Sequence, residues 1–230
     1  MNTQLVPRVG LTDAEKLAQD IPVSLQHVVV MCDGTPSGDS ALRLADAISQ
    51  GTGASVRAVT WLPVGYALDG EAPIEKFLAS VTQQLYRTTT RIGFWRLELL
   101  AGRIDQQLAQ LCSLEMAALL IVPGSGSVGS SVSQWTLTTG IPVACVAGKT
   151  ARCAEQVILY TRADARSQHH AHFMATIITA AHTMSMAHRT FPDRYTKRPC
   201  HYVQVQVVPM EPAYFVAAHS SSNNLSLTAS

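Results

Sequence analysis

The chain has 230 residues, about half as long again as a single ~150-residue domain. Apolar residues make up 47% and charged residues only 14%, against about 25% charged in an average soluble domain. Those proportions exclude a wholly disordered chain, and seventeen Lys and Arg against sixteen Asp and Glu, a net charge of +1, exclude a main role on nucleic acid and an acidic tail.

From the N-terminus, Met1 to Asp20 holds no apolar stretch of the length a secretory signal needs. Thr12 with Glu15 predicts one short helix, Thr12 to Asp20, stopped by Pro22. Gln26 to Cys32 (Q-H-V-V-V-M-C) is a β-branched run without polar alternation, which suits a strand buried on both faces. Thr35-Pro36 opens a helix whose apolar face is Ala41, Leu44, Ala45 and Ile48, ended by Gly51 and Gly53. Ser55 to Leu62 reads as a second strand, and Pro73 opens a helix with the stripe Ile74, Phe77, Leu78, Val81 and Leu85.

The rhythm continues with a third strand, Phe94 to Leu100, and a helix marked by Ile104, Leu108, Leu111 and Cys112. Ala118 to Val122 is a fourth strand, followed by the small-residue loop Gly124 to Gly129. A short helix, Ser130 to Thr139, then leads through Gly140 and Pro142 to a fifth strand, Val143 to Ala147. Such alternation predicts an α/β fold: an open parallel five-stranded sheet with helices on both faces. Ligands of such sheets sit beyond the carboxyl ends of the strands. Asp33, Trp61, Gly102, Gly124, Gly126, Gly129 and Ser130 all fall there and are the candidate site residues.

V-V-V-M-C-D-G-T-P-S-G-D-S-A-L around Asp33, the stretch Leu99 to Gly126, and Gly129-Ser130 followed by helix and I-P-V-A-C-V form one ordered set. Over residues 26–148 this set resembles the universal stress protein family. The resemblance implies a regulatory or binding protein with no turnover of its own, homodimers commonly formed through the last strand, and a bound adenine nucleotide. In the family's G-2x-G-9x-G-[ST] loop, Pro123 takes the first glycine position and Gly126 the second. Ser127 and Val128 alone then separate Gly126 from Gly129-Ser130. So short a loop suits a monophosphate better than a wrapped triphosphate, and the expectation is at best weak ATP or AMP binding, with a dimerisation or partner-docking module that has lost nucleotide binding as the alternative. Glycines with a helix start still let backbone N–H groups approach an anion. Asp33 stands at a ligand position of the family, and equally in a good Asx-type turn before a helix. Trp61 stands where the family's backbone holds the adenine edge, and equally where an aromatic packs a strand end.

Other chemistries compete for the same residues. Ser37-Gly38-Asp39-Ser40 resembles the S-G-G-x-D-S loop of the ATP pyrophosphatases with one residue missing, and is the less favoured, adenylate-forming reading. His169 and His172 share a helix face at a spacing that could chelate a metal, but no Cys or acidic partner lies nearby at ligand spacing. No catalytic set can be assembled, and no metal is expected. The cluster Arg189 to Arg198 reads as a solvated loop. Five cysteines, widely spaced and without a C-x-x-C pair, read as buried free thiols of a cytoplasmic protein. No apolar run approaches the ~20 residues of a membrane span, so no membrane insertion is expected.

The last eighty residues begin again as strand, helix and strand. Gln156 to Thr161 mirrors the first strand, and a helix from Ser167 to His188 carries Phe173, Ile177, Ala180 or Ala181, and Met184 on one face. His201 to Val208 alternates like a strand with one buried face. Arg162 falls where Asp33 stands in the first unit. The expected organisation is an N-terminal extension (1–24), the stress-protein-like domain (25–149), a partial second repeat (150–210) and a disordered tail (211–230). The added strand either pairs with the edge Val143 to Ala147, blocking the usual dimer there, or leaves it free for a second copy or another protein partner.

Overall fold

A computed structural model of the chain describes residues 25–62, 71–89, 95–124, 128–147, 155–188 and 203–210. The predicted helix Thr12 to Asp20, the loop residues Ser125, Gly126 and Ser127, the cluster Arg189 to Arg198, Cys153, Cys200 and the tail lie outside them. In chain order the elements are β1 (His27–Met31), α1 (Pro36–Thr52), β2 (Ser55–Leu62), α2 (Glu71–Thr88), β3 (Arg96–Ala101) and α3 (Ile104–Leu114). There follow β4 (Leu119–Pro123), α4 (Val128–Thr139), β5 (Val143–Ala147), β6 (Glu155–Arg162), α5 (Ala165–His188) and β7 (Val203–Met210).

Local chemistry explains several of these boundaries. Thr35 caps α1 by accepting the Gly38 N–H at 3.2 Å, and Pro36 supplies the preset backbone angle of a first helical residue. Gly53, at φ +77°, closes the same helix in the left-handed region and donates its N–H to Ser49. Pro73 lies inside the first turn of α2, which begins two residues earlier at Glu71. β4 runs one residue further than expected, to Pro123. A proline fits there because the ladder to β1 has already ended at Ile121.

The strands form one sheet in the order β3-β2-β1-β4-β5-β6-β7. The first five are parallel, and their order reverses between β1 and β4. β6 then adds antiparallel to β5, with Val143 opposite Tyr160 and Ala147 opposite Gln156, and β7 adds parallel to β6. The expected five-stranded sheet is therefore the larger part of a seven-stranded one. The C-terminal unit extends the sheet and occupies the β5 edge.

Two β–α–β units of the same hand are related here by strand reversal. β1–α1–β2 steps one way across the sheet, and β6–α5–β7 steps the other way with its strands reversed. A two-fold axis normal to the sheet relates such units, so right-handed crossovers place both helices on one face. Accordingly α1 packs on α5. Val28, Val30, Leu42, Ile48, Val81, Leu159, Met174 and Ile178 belong to that face's single core. The opposite face buries Val29, Met31, Leu120, Val122 and Trp135 beneath α3 and α4. In α5 the fully buried stripe is Ala171, Met174 and Ile178, with Ala181 beside them. Phe173 and Ile177, expected at its centre, are half-buried on its flank. The difference is a rotation of about one residue, because a helix rich in Ala, Met and Ile offers two overlapping apolar faces and tertiary packing selects one.

Candidate functional site

The order reversal sets the carboxyl ends of β1 and β4 side by side, with β2 and β3 beyond β1. At the end of β1, Asp33 folds back on the chain. Its Oδ1 accepts the Thr35 N–H at 2.9 Å and the Thr35 hydroxyl at 2.6 Å, an Asx turn that leads into the helix cap. Two side chains of α2 brace this turn from outside. Gln84 accepts the Gly34 N–H at 2.9 Å and donates to the Thr35 carbonyl at 2.7 Å and to Asp39 Oδ1 at 2.8 Å. Arg87 pairs with the Asp39 carboxylate at 2.8 and 3.0 Å. Gly38 sits beneath them, where an added Cβ would lie 2.5 Å from Asp33 Oδ1 and 2.9 Å from Gln84 Nε2. A methyl group at that point would have to push the Asp33 and Gln84 side chains aside.

Sequence reading missed Gln84 and Arg87. The one signal was a glutamine flanked by the apolar stripe positions Val81 and Leu85, where a buried amide needs partners. The bracing also bears on the Ser37-Gly38-Asp39-Ser40 motif. Asp39 is held by Gln84 and Arg87, and the Ser40 hydroxyl accepts from Arg43 at 3.1 Å. These groups serve the turn and the first helical turns.

Trp61 lies near the end of β2, opposite Leu100 of β3 and on the face covered by α3 and α4. Its ring is half-buried, and the indole N–H is buried without a hydrogen-bond partner among the described residues. An orphaned donor of this kind costs about 1–3 kcal/mol. Gly102, at φ +86°, starts the turn after β3, and the Gln107 amide bonds both the N–H and the carbonyl of Ala101 beside it.

At the end of β4, Gly124 donates its N–H to the Val146 carbonyl at 2.7 Å. A Cβ there would lie 2.9 Å from that oxygen and 3.1 Å from the Ala147 nitrogen. Gly124 is thus packed hard against β5. Gly129 and Ser130 lie in the first turn of α4, which begins at Val128, two residues before the predicted start. That helix is fixed by Asp105 of α3, which accepts from the Trp135 indole at 2.7 Å and the Gln134 amide at 2.8 Å.

The remaining reactive groups are subdued. Burial pushes the Cys32 thiol up to about 12, helped by the neighbouring Asp33 charge, and the Cys112 thiol up to about 12. Burial raises Cys145 as well. Protonated thiols of this kind are poor nucleophiles at neutral pH. His169 and His172 are exposed on α5, and among the described residues no group of three His, Cys, Asp or Glu side chains is placed to hold a metal. No helix of the described residues is long and apolar enough to cross a membrane.

For an adenine nucleotide, the described residues supply a mixed fit. The buried Trp61 N–H has no partner among the described residues, and the first turn of α4 follows β4 closely enough to present backbone N–H groups. Asp33 Oδ1 is already used by its own turn, and Gly124 faces β5.

No family model and no curated protein matches the sequence. Among solved structures the chain is similar to a universal stress protein in complex with cAMP, at 22% identity and a TM-score of 0.41 over 55% of this chain and 99% of that one. It is also similar to a universal stress protein family member from Burkholderia pseudomallei, at 17% identity and a TM-score of 0.42 over 54% of this chain and 98% of that one. A third similar structure is the universal stress protein from Archaeoglobus fulgidus in complex with dAMP, at 17% identity and a TM-score of 0.40 over 54% and 98%. The strand order β3-β2-β1-β4-β5, with helices on both faces, is a doubly wound, Rossmann-like topology, carried here on a chain with a β–α–β extension.

Proposed function

We propose that this chain is a regulatory binding protein without turnover, which holds an adenine nucleotide of AMP size weakly at the carboxyl ends of β1, β2 and β4. The observation that carries this reading is the Trp61 indole N–H, a buried donor without a partner among the described residues, near the end of the sheet where ligands of this topology bind. The short segment between Gly124 and α4 favours one phosphate over three. The absence of turnover is supported by the commitments of the nearby acids: Asp33 to its turn, Asp39 to Gln84 and Arg87.

Calorimetric titration of the purified chain with AMP and with ATP-Mg tests the reading. AMP is expected to bind with a dissociation constant near 100 µM or weaker, about −5 kcal/mol, and ATP-Mg no more tightly. Trp61→Phe keeps the ring and removes the donor, and should weaken AMP about fivefold. Low-micromolar saturation by ATP-Mg would overturn the size limit, and an unchanged AMP affinity in Trp61→Phe would remove the indole from the site.

A second reading, a partner-docking module without nucleotide, is favoured by the use of Asp33 Oδ1 within its own turn and by the packing of Gly124 on β5. Absence of heat with either nucleotide would select it. In both readings the C-terminal unit is a degenerate second repeat. A homodimer through β5, which the resemblance implies, is displaced by β6, so self-association must use another surface.

A further inference from the structure

At the opposite end of the sheet, below the amino-terminal ends of β1, β2 and β3, lies a cavity of about 300 Å³. Its walls include His27, Ser55, Arg57, Arg96 and Glu115. Several uncommon local features meet there. Arg57 and Arg96 stand directly opposite each other on neighbouring strands, a like-charged pair on one face. Both nearby carboxylates, Glu98 and Glu115, pair with Arg57, and among the described residues Arg96 has no acidic partner. Glu115 caps the C-terminus of α3, where the helix dipole disfavours a negative charge. The next residue, Met116, is held at φ +48°, and it and Leu114 project into solvent on either side of Glu115. Violations of local rules concentrated at one place are expected at a functional site and not elsewhere.

We infer that this cavity is a second binding site, independent of the carboxyl-end reading, for a small phosphate monoester or for free phosphate. Arg96 is the guanidinium open to an incoming anion, and Arg57 is the second, shared with Glu98 and Glu115. Two planar guanidinium groups match the oxygens of a phosphate in bidentate geometry and its roughly −1.5 to −2 charge at neutral pH. Ser55 and His27, whose Oγ and Nδ1 lie 2.5 Å apart, stand on the wall shared with a wider opening lined by Leu25, Gln26, Thr52 and Gly53. The organic part of an ester would extend toward that opening. A volume of about 300 Å³ is at the small end of ligand pockets and suits a ligand of this size.

The test is calorimetry on the full chain with inorganic phosphate and with glycerol 3-phosphate, at constant ionic strength in chloride. Saturable heat from either supports the site. Heat from phosphate alone identifies the free anion as its ligand, and heat only from the ester identifies a phosphate monoester. Arg96→Ala, an exposed side chain whose loss should not affect folding, is expected to weaken that binding about tenfold, while Glu115→Gln, which leaves Arg57 with Glu98 as its one acidic partner among the described residues, should tighten it. AMP binding at the other end of the sheet should be the same in Arg96→Ala as in the parent, which separates this site from the nucleotide reading. No saturable heat from either probe, or equal affinity in Arg96→Ala and the parent, overturns the proposal.

Discussion

The units β1–α1–β2 and β6–α5–β7 make the same turn from strand to helix with different chemistry. In each, an oxygen side chain caps the helix and accepts the N–H three residues on: Thr35 from Gly38, Asp164 from Ser167. Two residues before the cap, the first unit has Asp33, which grips the cap residue itself. The second has Arg162, exposed and without that role. Three residues after the cap, Gly38 leaves room for Asp33 and Gln84. Ser167 instead turns its own hydroxyl back to Asp164 at 2.7 Å. The second turn is closed by its own residues, while the first is held by a carboxylate before it and by α2 beside it. The comparison separates what the β–α–β fold requires, a cap and a buried helix face, from what surrounds the first unit alone.

The largest test of that comparison removes the second unit altogether. A chain ending at Lys149 would expose the β5 edge and remove Leu159, Met174 and Ile178 from the core they share with Leu44, Ile48 and Val146, leaving part of that core open to solvent. At about 1.5–3 kcal/mol for each large retained side chain so uncovered, the truncation should lower Tm by about 15 °C or more, accompanied by self-association through the freed edge. Light scattering and calorimetry would show this. A monomer with unchanged Tm would mean the two units do not share a core. Next in size, Gly38→Ala forces a methyl against Asp33 and Gln84 and should destabilise by about 1–3 kcal/mol in denaturant unfolding. Ser167→Ala, at the matching position, should lose less, because no clash arises there. Equal losses would erase the distinction between the two turns.

The smallest effect concerns pH. Hydrogen bonds from the Ser167 backbone and side chain hold the Asp164 carboxyl below its ordinary value of 3.8. A carboxyl held low in the folded state stabilises it above the unfolded pKa, and that contribution fades as pH falls through the folded value. Asp164→Asn should therefore flatten the acid limb of the stability curve below about pH 4, measured by urea unfolding. An acid limb unchanged in Asp164→Asn would sink the assignment.

Much of this architecture was legible before any coordinates. Val28 to Val30 admit no polar alternation, and a strand buried on both faces follows. The cap at Thr35, the stripe Val81 and Leu85, and the strand Val143 to Ala147 follow from equally local rules. What escaped depends on contacts distant in sequence. Gln84 reaches Gly34 across fifty residues, and nothing near either residue announces the pair. The same holds for Arg57 with Glu115 and for the cavity they border. The α5 face was misplaced by about a residue, because Phe173 and Ile177 are as apolar as Met174 and Ile178 and only the neighbouring α1 distinguishes them.

The antiparallel seam between β5 and β6 has a thermodynamic consequence. When two separate subunits close a sheet edge, the closure obeys mass action, and its stability falls with dilution. Here a connection of seven residues, 148–154, joins the two strands. A tether this short keeps the local concentration of β6 near β5 in the millimolar range whatever the amount of protein in solution. The closed edge, and the core that α5 brings with it, should persist equally in a scarce protein and an abundant one.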